Sequence, residues 1–253
     1  PMQPVWKSTL HHGDGGAELR HPVSVFVSGN YAYIANYGNS NFEIADISDP
    51  LNPFHKSTFG YFDSGGSLEG PLSVFVSGNY AYVTSAYTSA LTIVDVSNPA
   101  SPVLKGIVRD GTGGASLSSP SSIVVYGNYA YVVSRGDSTL EILDISDPAN
   151  PVHKSKIVNG TGGSSFFNPI SIYISGNYAY IASFVGSTLE VVDISDPANP
   201  VHKGVIADGA GGASLNYTNS VFVSGGYAFV SSYLGNALEI VNVSDPANPT
   251  HAA

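Results

Sequence analysis

The chain has 253 residues, is 43% hydrophobic and only 11% charged, and carries 19 acidic against 9 basic residues for a net charge of −10. That balance argues against nucleic acid or an anionic membrane as a partner, since both need clustered Lys and Arg. It has no cysteine, which excludes disulfides, thiolate metal sites and a cysteine nucleophile.

No apolar run approaches the roughly 20 residues that span a bilayer. No signal peptide is visible at Pro1-Met2-Gln3-Pro4, and the chain reads as trimmed or processed. The first element is a strand, Val5-Trp6-Lys7-Ser8-Thr9-Leu10, followed by a glycine loop at Gly13-Asp14-Gly15-Gly16. A pattern then begins that fills the rest of the chain. Gly29-Asn30-Tyr31 returns as Gly78-Asn79-Tyr80, Gly127-Asn128-Tyr129, Gly176-Asn177-Tyr178 and Gly225-Gly226-Tyr227, each 49 residues after the last. A fixed period of this length marks a repeat architecture. The repeats run over 22–70, 71–119, 120–168, 169–217 and 218–253, within a single domain of 1–253.

The third repeat shows the elements of all five. Ser122 to Tyr126 is a β-branched apolar run, read as a strand. Gly127-Asn128 supplies a two-residue turn that tolerates positive φ, and Tyr129 to Ser134 forms the second strand. Arg135 to Ser138 turns into a third strand, Leu140 to Ile145. Ser146-Asp147-Pro148-Ala149-Asn150-Pro151 interrupts the sheet, because proline cannot continue a central strand. Val152 to Val158 is the fourth strand, ending in Gly160-Thr161-Gly162-Gly163. No segment has a helical period, so the chain reads as all-β.

Four antiparallel strands per unit at this period predict the blade of a β-propeller. The expected fold is a closed five-bladed β-propeller. Pro4, Pro53, Pro102, Pro151, Pro200 and Pro249 share one phase, and only four residues follow Pro249. The strand Val5–Leu10 is therefore expected to complete the last blade, so that residues 1–21 close repeat 218–253. A swapped version would place that strand in a neighbouring molecule.

Leu91-Thr92-Ile93-Val94-Asp95, Leu140-Glu141-Ile142-Leu143-Asp144 and Leu189-Glu190-Val191-Val192-Asp193, flanked by Tyr-Ala-Tyr and Ser-Asp-Pro-Ala-Asn-Pro, resemble the core of the LVIVD repeat. Phe42-Glu43-Ile44-Ala45-Asp46 and Leu238-Glu239-Ile240-Val241-Asn242 depart from it. The resemblance covers essentially the whole chain. It implies a propeller of bacterial or archaeal surface or exported proteins, mostly without assigned activity.

A feature repeated around a ring serves the blade first. Asp46, Asp95, Asp144 and Asp193 are read as acceptors for the following Ser-Asp-Pro turn. His55, His153, His202 and His251 open the fourth strand. Symmetric pairing about the turn sets Asp46 opposite His55, Asp144 opposite His153 and Asp193 opposite His202, as cross-strand polar pairs. His11-His12 beside Asp14 is a weak metal candidate. The glycine loops at Asp110–Gly114 and Asp208–Gly212 lack the carboxylates of a calcium loop and the lysine of a phosphate loop. Asn159, Asn216 and Asn242 begin N-x-S/T triplets.

The repeats disagree at the turn between second and third strands, where Tyr37, Tyr87, Arg135, Phe184 and Tyr233 stand, and at the crossover residues Asn216 and Tyr217. Aromatics among Asn, Ser and Asp suit sugar stacking or a protein contact, with packing between adjacent loops as the alternative. These seven residues are the candidate ligand site. The expected function is a non-enzymatic extracellular or cell-surface binding or adhesion module for carbohydrate or protein. A structural subunit of a surface layer or filament is the alternative, and a glycosidase is third because Asp137, Glu69 and Glu18 form no evident pair. No cofactor or metal is expected, self-association is possible, and no nucleic acid or transmembrane segment is expected.

Overall fold

The computed structural model describes residues 7–252. The β-branched and aromatic runs form strands and the Gly-Asn pairs turn them, giving five antiparallel four-stranded sheets, each ordered by sequence from its first strand to its fourth. They comprise β1 (Pro22–Ser28), β2 (Tyr31–Asn36), β3 (Asn41–Asp46) and β4 (Phe54–Gly60); β5 (Pro71–Ser77), β6 (Tyr80–Ser85), β7 (Ala90–Asp95) and β8 (Val103–Arg109). Next come β9 (Pro120–Tyr126), β10 (Tyr129–Ser134), β11 (Thr139–Asp144) and β12 (Val152–Val158), then β13 (Pro169–Ser175), β14 (Tyr178–Ser183), β15 (Thr188–Asp193) and β16 (Val201–Ala207). The last sheet holds β17 (Thr218–Ser224), β18 (Tyr227–Ser232), β19 (Ala237–Asn242) and β20 (Thr250–His251). Apart from single 3-10 turns at the glycine loops there is no helix among the described residues, and none long and apolar enough to cross a membrane.

The chain divides into two compact units, residues 1–107 and 108–253. In the first, Tyr33, Ala35, Phe42 and Ile44 of one blade close on Val74, Val76, Ala81 and Val83 of the next. In the second, Tyr180, Leu189 and Val191 close on Val221, Val223, Ala228 and Val230, and Tyr131, Leu140 and Ile142 close on Ile172, Ala179 and Ile181. Each fully buried large side chain contributes about 1.5–3 kcal/mol of burial. In the second, third and fourth blades, strands two and three are therefore buried on both faces, which explains their largely apolar runs.

Two expectations change. The last sheet draws its fourth strand from the chain's own end: Thr250 and His251 pair with Asn242 and Val241, and the Ala252 amide donates to the Ile240 carbonyl at 2.9 Å. Two ladder residues suffice because His251 is also held through its side chain, as described below. Of the strand expected over Val5–Leu10, Val5 and Trp6 lie outside the described residues and 7–10 form no strand; Ser8 Oγ donates to the Pro50 carbonyl at 2.5 Å. The second change concerns register. A bulge in each full-length fourth strand with a histidine displaces the pairing by one, so Leu143 faces His153 and Asp144 faces Val152. Likewise Ala45 faces His55 and Val192 faces His202. The bulge breaks the symmetry about the turn.

Candidate functional site

The aspartates that end the third strands accept from the following turn. Asp144 Oδ1 takes the Ser146 amide at 3.0 Å and its hydroxyl at 2.7 Å, and Asp46 and Asp193 do the same with Ser48 and Ser195. The Ser146 hydroxyl, then its amide, holds the Asp144 carboxyl below the ordinary 3.8. Asn242 plays the same part towards Ser244 in the last blade.

The histidines do not meet these aspartates. The bulge turns each imidazole onto the glutamate of the third strand: His153 Nδ1 lies 2.5 Å from Glu141 Oε1, and His202 and His251 lie 2.6 Å from Glu190 and Glu239. His55 pairs with Glu43 at 2.5 Å. The second oxygen of each carboxylate accepts a backbone amide from the crossover loop leading into the same blade: Glu18 at 3.1 Å, Ser116 at 3.1 Å, Ser165 at 3.0 Å and Ser214 at 2.9 Å. The other side of the imidazole lies against that loop's 3-10 turn. Gly163, at φ +97°, packs on His202, a Cβ there standing 3.4 Å from Cδ2 in ordinary contact, so it is the dihedral that favours glycine. Burial pushes the carboxyls of Glu43, Glu141 and Glu190 up from 4.5, and the bonds from histidine and backbone offset part of that rise.

These glutamates were missed by reasoning from the sequence, although a signal existed. Where Glu gives way to Thr92, the residue twelve positions on is Leu104 in place of histidine. Glu and His appear together in four repeats and vanish together in the second. There the Thr92 hydroxyl bonds the Ser67 hydroxyl at 2.8 Å instead. The arrangement fixes loops.

The variable residues sit where the second-to-third-strand turn meets the crossover loop. The amides of Tyr37, Arg135, Phe184 and Tyr233 donate to the carbonyls of His21, Ser119, Asn168 and Tyr217 at 2.9–3.1 Å. In the first unit Tyr37 and Tyr87 share a hydroxyl–hydroxyl hydrogen bond, with ring centroids 5.4 Å apart. In the second, Phe184 lies edge-on to Tyr217 at 4.8 Å and 6.2 Å from Tyr233. Tyr217 adopts φ +57° at a position filled elsewhere by His21, Gly70, Ser119 and Asn168. That conformation is unfavourable for a bulky side chain. A recess of about 490 Å³ beside Phe184 is lined by Arg135, Asn168, Ile170, Val185 and Asn219.

The structure thus gathers Arg135, Phe184, Tyr217 and Tyr233 in one unit and pairs Tyr37 with Tyr87 in the other. The Asn216 backbone carbonyl caps the Leu234 and Gly235 amides at 3.2 Å. The expected packing between loops is present, yet Tyr87 and Tyr233 remain 64% and 66% exposed. At the metal candidate, His12 Nδ1 accepts the Leu19 amide and Asp14 accepts that of His11. No group of three potential ligands converges among the described residues. Glu18 Oε2 accepts from Asn41 at 2.5 Å.

Five antiparallel four-stranded blades in sequence order define a five-bladed, all-β propeller. The LVIVD repeat family model matches residues 20–59, 72–110, 119–158, 170–208 and 216–252, and the chain belongs to the LVIVD repeat family. Among solved structures it is similar to a protein from Lactobacillus plantarum (15% identity, TM-score 0.75, 94% of this chain and 71% of that one). It is similar too to the periplasmic gluconolactonase of Pseudomonas aeruginosa (12%, TM-score 0.74, 93% and 70%). A functionally unknown protein from Desulfotomaculum acetoxidans aligns at 10% identity and TM-score 0.72, over 94% and 71%. At these identities the likeness is one of fold. No curated protein matches the chain.

Proposed function

We propose that the chain is a non-enzymatic binding module of the cell surface or extracellular space that takes carbohydrate on its variable loop face. The observation that supports this is the cluster of Phe184, Tyr217 and Tyr233 beside the recess lined by Arg135, Asn168 and Asn219. A sugar presents an apolar face and a polar rim, and an aromatic platform edged by amide and guanidinium donors complements both. The recess volume falls within the usual range for small-ligand sites. Glu18, one of the acids that are not repeated, is engaged by Asn41.

A glycan array, followed by titration calorimetry of each hit, tests the reading. The expected result is a hit whose affinity falls about tenfold or more in Tyr233→Ala, with the fold unchanged by circular dichroism. An array without hits, or hits indifferent to Tyr233→Ala and Arg135→Ala, would overturn it. Capture of a protein ligand sensitive to the same substitutions would move the site to protein recognition.

A further inference from the structure

The Gly-Asn turns lie at the end of the strands away from the variable loops, since Gly127-Asn128 and the Arg135 turn bound opposite ends of β10. At the Gly-Asn end the third blade departs twice from its equivalents. Val124 stands where the other blades carry Phe26, Phe75, Tyr173 and Phe222, and Tyr126 stands where they carry Ser28, Ser77, Ser175 and Ser224. Val124 pairs with Tyr131 and Tyr126 with Tyr129 across the ladder, so the four side chains share one face of the sheet. A large ring is thereby moved two residues along the strand, to a position where it is 52% exposed. A recess of about 230 Å³ lies there between the third and fourth blades, which belong to one compact unit. Tyr126, Tyr129 and Tyr131 line one side of it, and Asn177, Ser195 and Pro197 the other. Burial, then the neighbouring phenols of Tyr129 and Tyr126, push the Tyr131 hydroxyl up to about 12, so that the ring stays neutral.

The equivalent rings in other blades show what such a wall takes. Tyr80 and Tyr178 occupy the position of Tyr129, and each carries a lysine ammonium over its ring: Lys105 at 6.0 Å and Lys203 at 5.9 Å from the centroid. Lys203 is held at the same time by Asp193, 3.9 Å away. The third blade keeps the tyrosine and the carboxylate. Asp144 lies opposite Tyr129 in the ladder, and its bonds from Ser146 favour the ionised form. The lysine is what differs. Lys154 lies over no ring and is in ion-pair contact with no carboxylate among the described residues, whereas Lys105 and Lys203 cover their tyrosines. The third blade therefore has the ring and the anion, with two further phenols beside them, and lacks the cation.

We infer that the recess between the third and fourth blades binds a small organic cation with a methylated ammonium head, seated on Tyr126, Tyr129 and Tyr131 and balanced by Asp144. The ring quadrupole attracts a cation at the aromatic face, and the attraction grows as the cation is desolvated. A methylated head holds water loosely and presents apolar methyl groups, so it gains more from three rings than a lysine ammonium does. The net charge of −10 raises the local concentration of any cation. This inference is independent of the carbohydrate reading, since none of these residues belongs to the variable loops.

Titration calorimetry with choline, and with its uncharged isostere in which a tert-butyl group replaces the trimethylammonium, tests it. Choline is expected to bind, and the isostere at least ~10-fold more weakly, because only the charged head engages the ring quadrupole. Tyr126→Ser installs the residue of the other four blades and should weaken choline at least ~10-fold, while Tyr126→Phe keeps the ring and should bind it within about twofold of the wild type. Absence of choline binding, equal binding of the isostere, or indifference to Tyr126→Ser would each overturn the inference. Should Tyr126→Ser misfold by circular dichroism, nuclear Overhauser contacts in the wild type give the answer without substitution. Contacts from the choline methyl protons to the Tyr126 and Tyr129 rings support the site, and contacts confined to other residues refute it.

Discussion

His202 Nδ1 stands 2.6 Å from Glu190 Oε1, while the other oxygen of that carboxylate accepts the Ser165 amide at 3.0 Å. One buried side chain thereby ties an outer strand to an incoming loop. It also makes stability depend on pH.

An unfolded glutamate titrates near 4.5, and burial raises the folded value for Glu43, Glu141 and Glu190. Between the two values the folded chain holds protons that the unfolded chain has released. The free energy of unfolding therefore falls as pH rises through that window, and the contribution is complete below 4.5. Asp144 and Asp193 act in the opposite sense: their folded values lie below 3.8, so their contribution is present above 3.8 and lost as pH falls through the folded value. Urea unfolding should show greatest stability in the mildly acidic range. Glu190→Gln should flatten the decline above pH 4.5, and an undiminished slope in that variant counts against this assignment.

Removing one partner of the buried pair should cost more than its surface appearance suggests. His202→Leu leaves Glu190 with the Ser165 amide alone and is expected to lower stability by about 3 kcal/mol. The second blade shows the alternative in Thr92 and Leu104, so His202→Leu combined with Glu190→Thr should recover part of the loss. A double-mutant cycle with no coupling between the two positions would contradict the pairing.

Leu140 and Leu238 occupy one repeat position in opposite surroundings. Leu140→Ala removes a fully buried side chain and should cost about 3 kcal/mol, lowering Tm by about 9 °C at about 3 °C per kcal/mol. Leu238→Ala should change stability by no more than about 0.5 kcal/mol. Equal effects in thermal melts would show that the two positions are equally covered.

Tyr217 combines an unfavourable backbone conformation with a ring contact to Phe184. Tyr217→Asn keeps a residue that tolerates φ near +57° and should stabilise the fold by about 1 kcal/mol, while weakening the ligand found by glycan array. A variant that gains stability and binds unchanged would place Tyr217 outside the site.

The blade was legible in the sequence because its cause is periodic: a Gly-Asn turn, β-branched runs and a proline-bounded connection recur at one spacing. The serine-capped role of Asp46 and its equivalents was legible too, since an Asx turn is local. The histidine partner was not. It depends on a one-residue bulge between Ile142 and His153, and nothing in Val152-His153-Lys154-Ser155 announces which residue the ladder will skip. Among the candidate ligand residues, the sequence showed variability, whereas the pairing of Tyr37 with Tyr87 and of Phe184 with Tyr217 required the folded turns.

The loop that Glu141 grips at Ser116 is thereby split into two lengths with different freedoms. Upstream, Gly111 to Ala115 is fixed by the imidazole that rests on it. Downstream, only Leu117, Ser118 and Ser119 remain before the next strand begins, and the carbonyls of Ser119 and Ser118 accept the Arg135 and Gly136 amides of the neighbouring turn. Each blade with this glutamate thus carries a short stretch, Ser118 and Ser119 in the third, whose sequence can drift without loosening the anchor behind it, while Leu117 stays in the core. A propeller built this way can vary its loops one blade at a time.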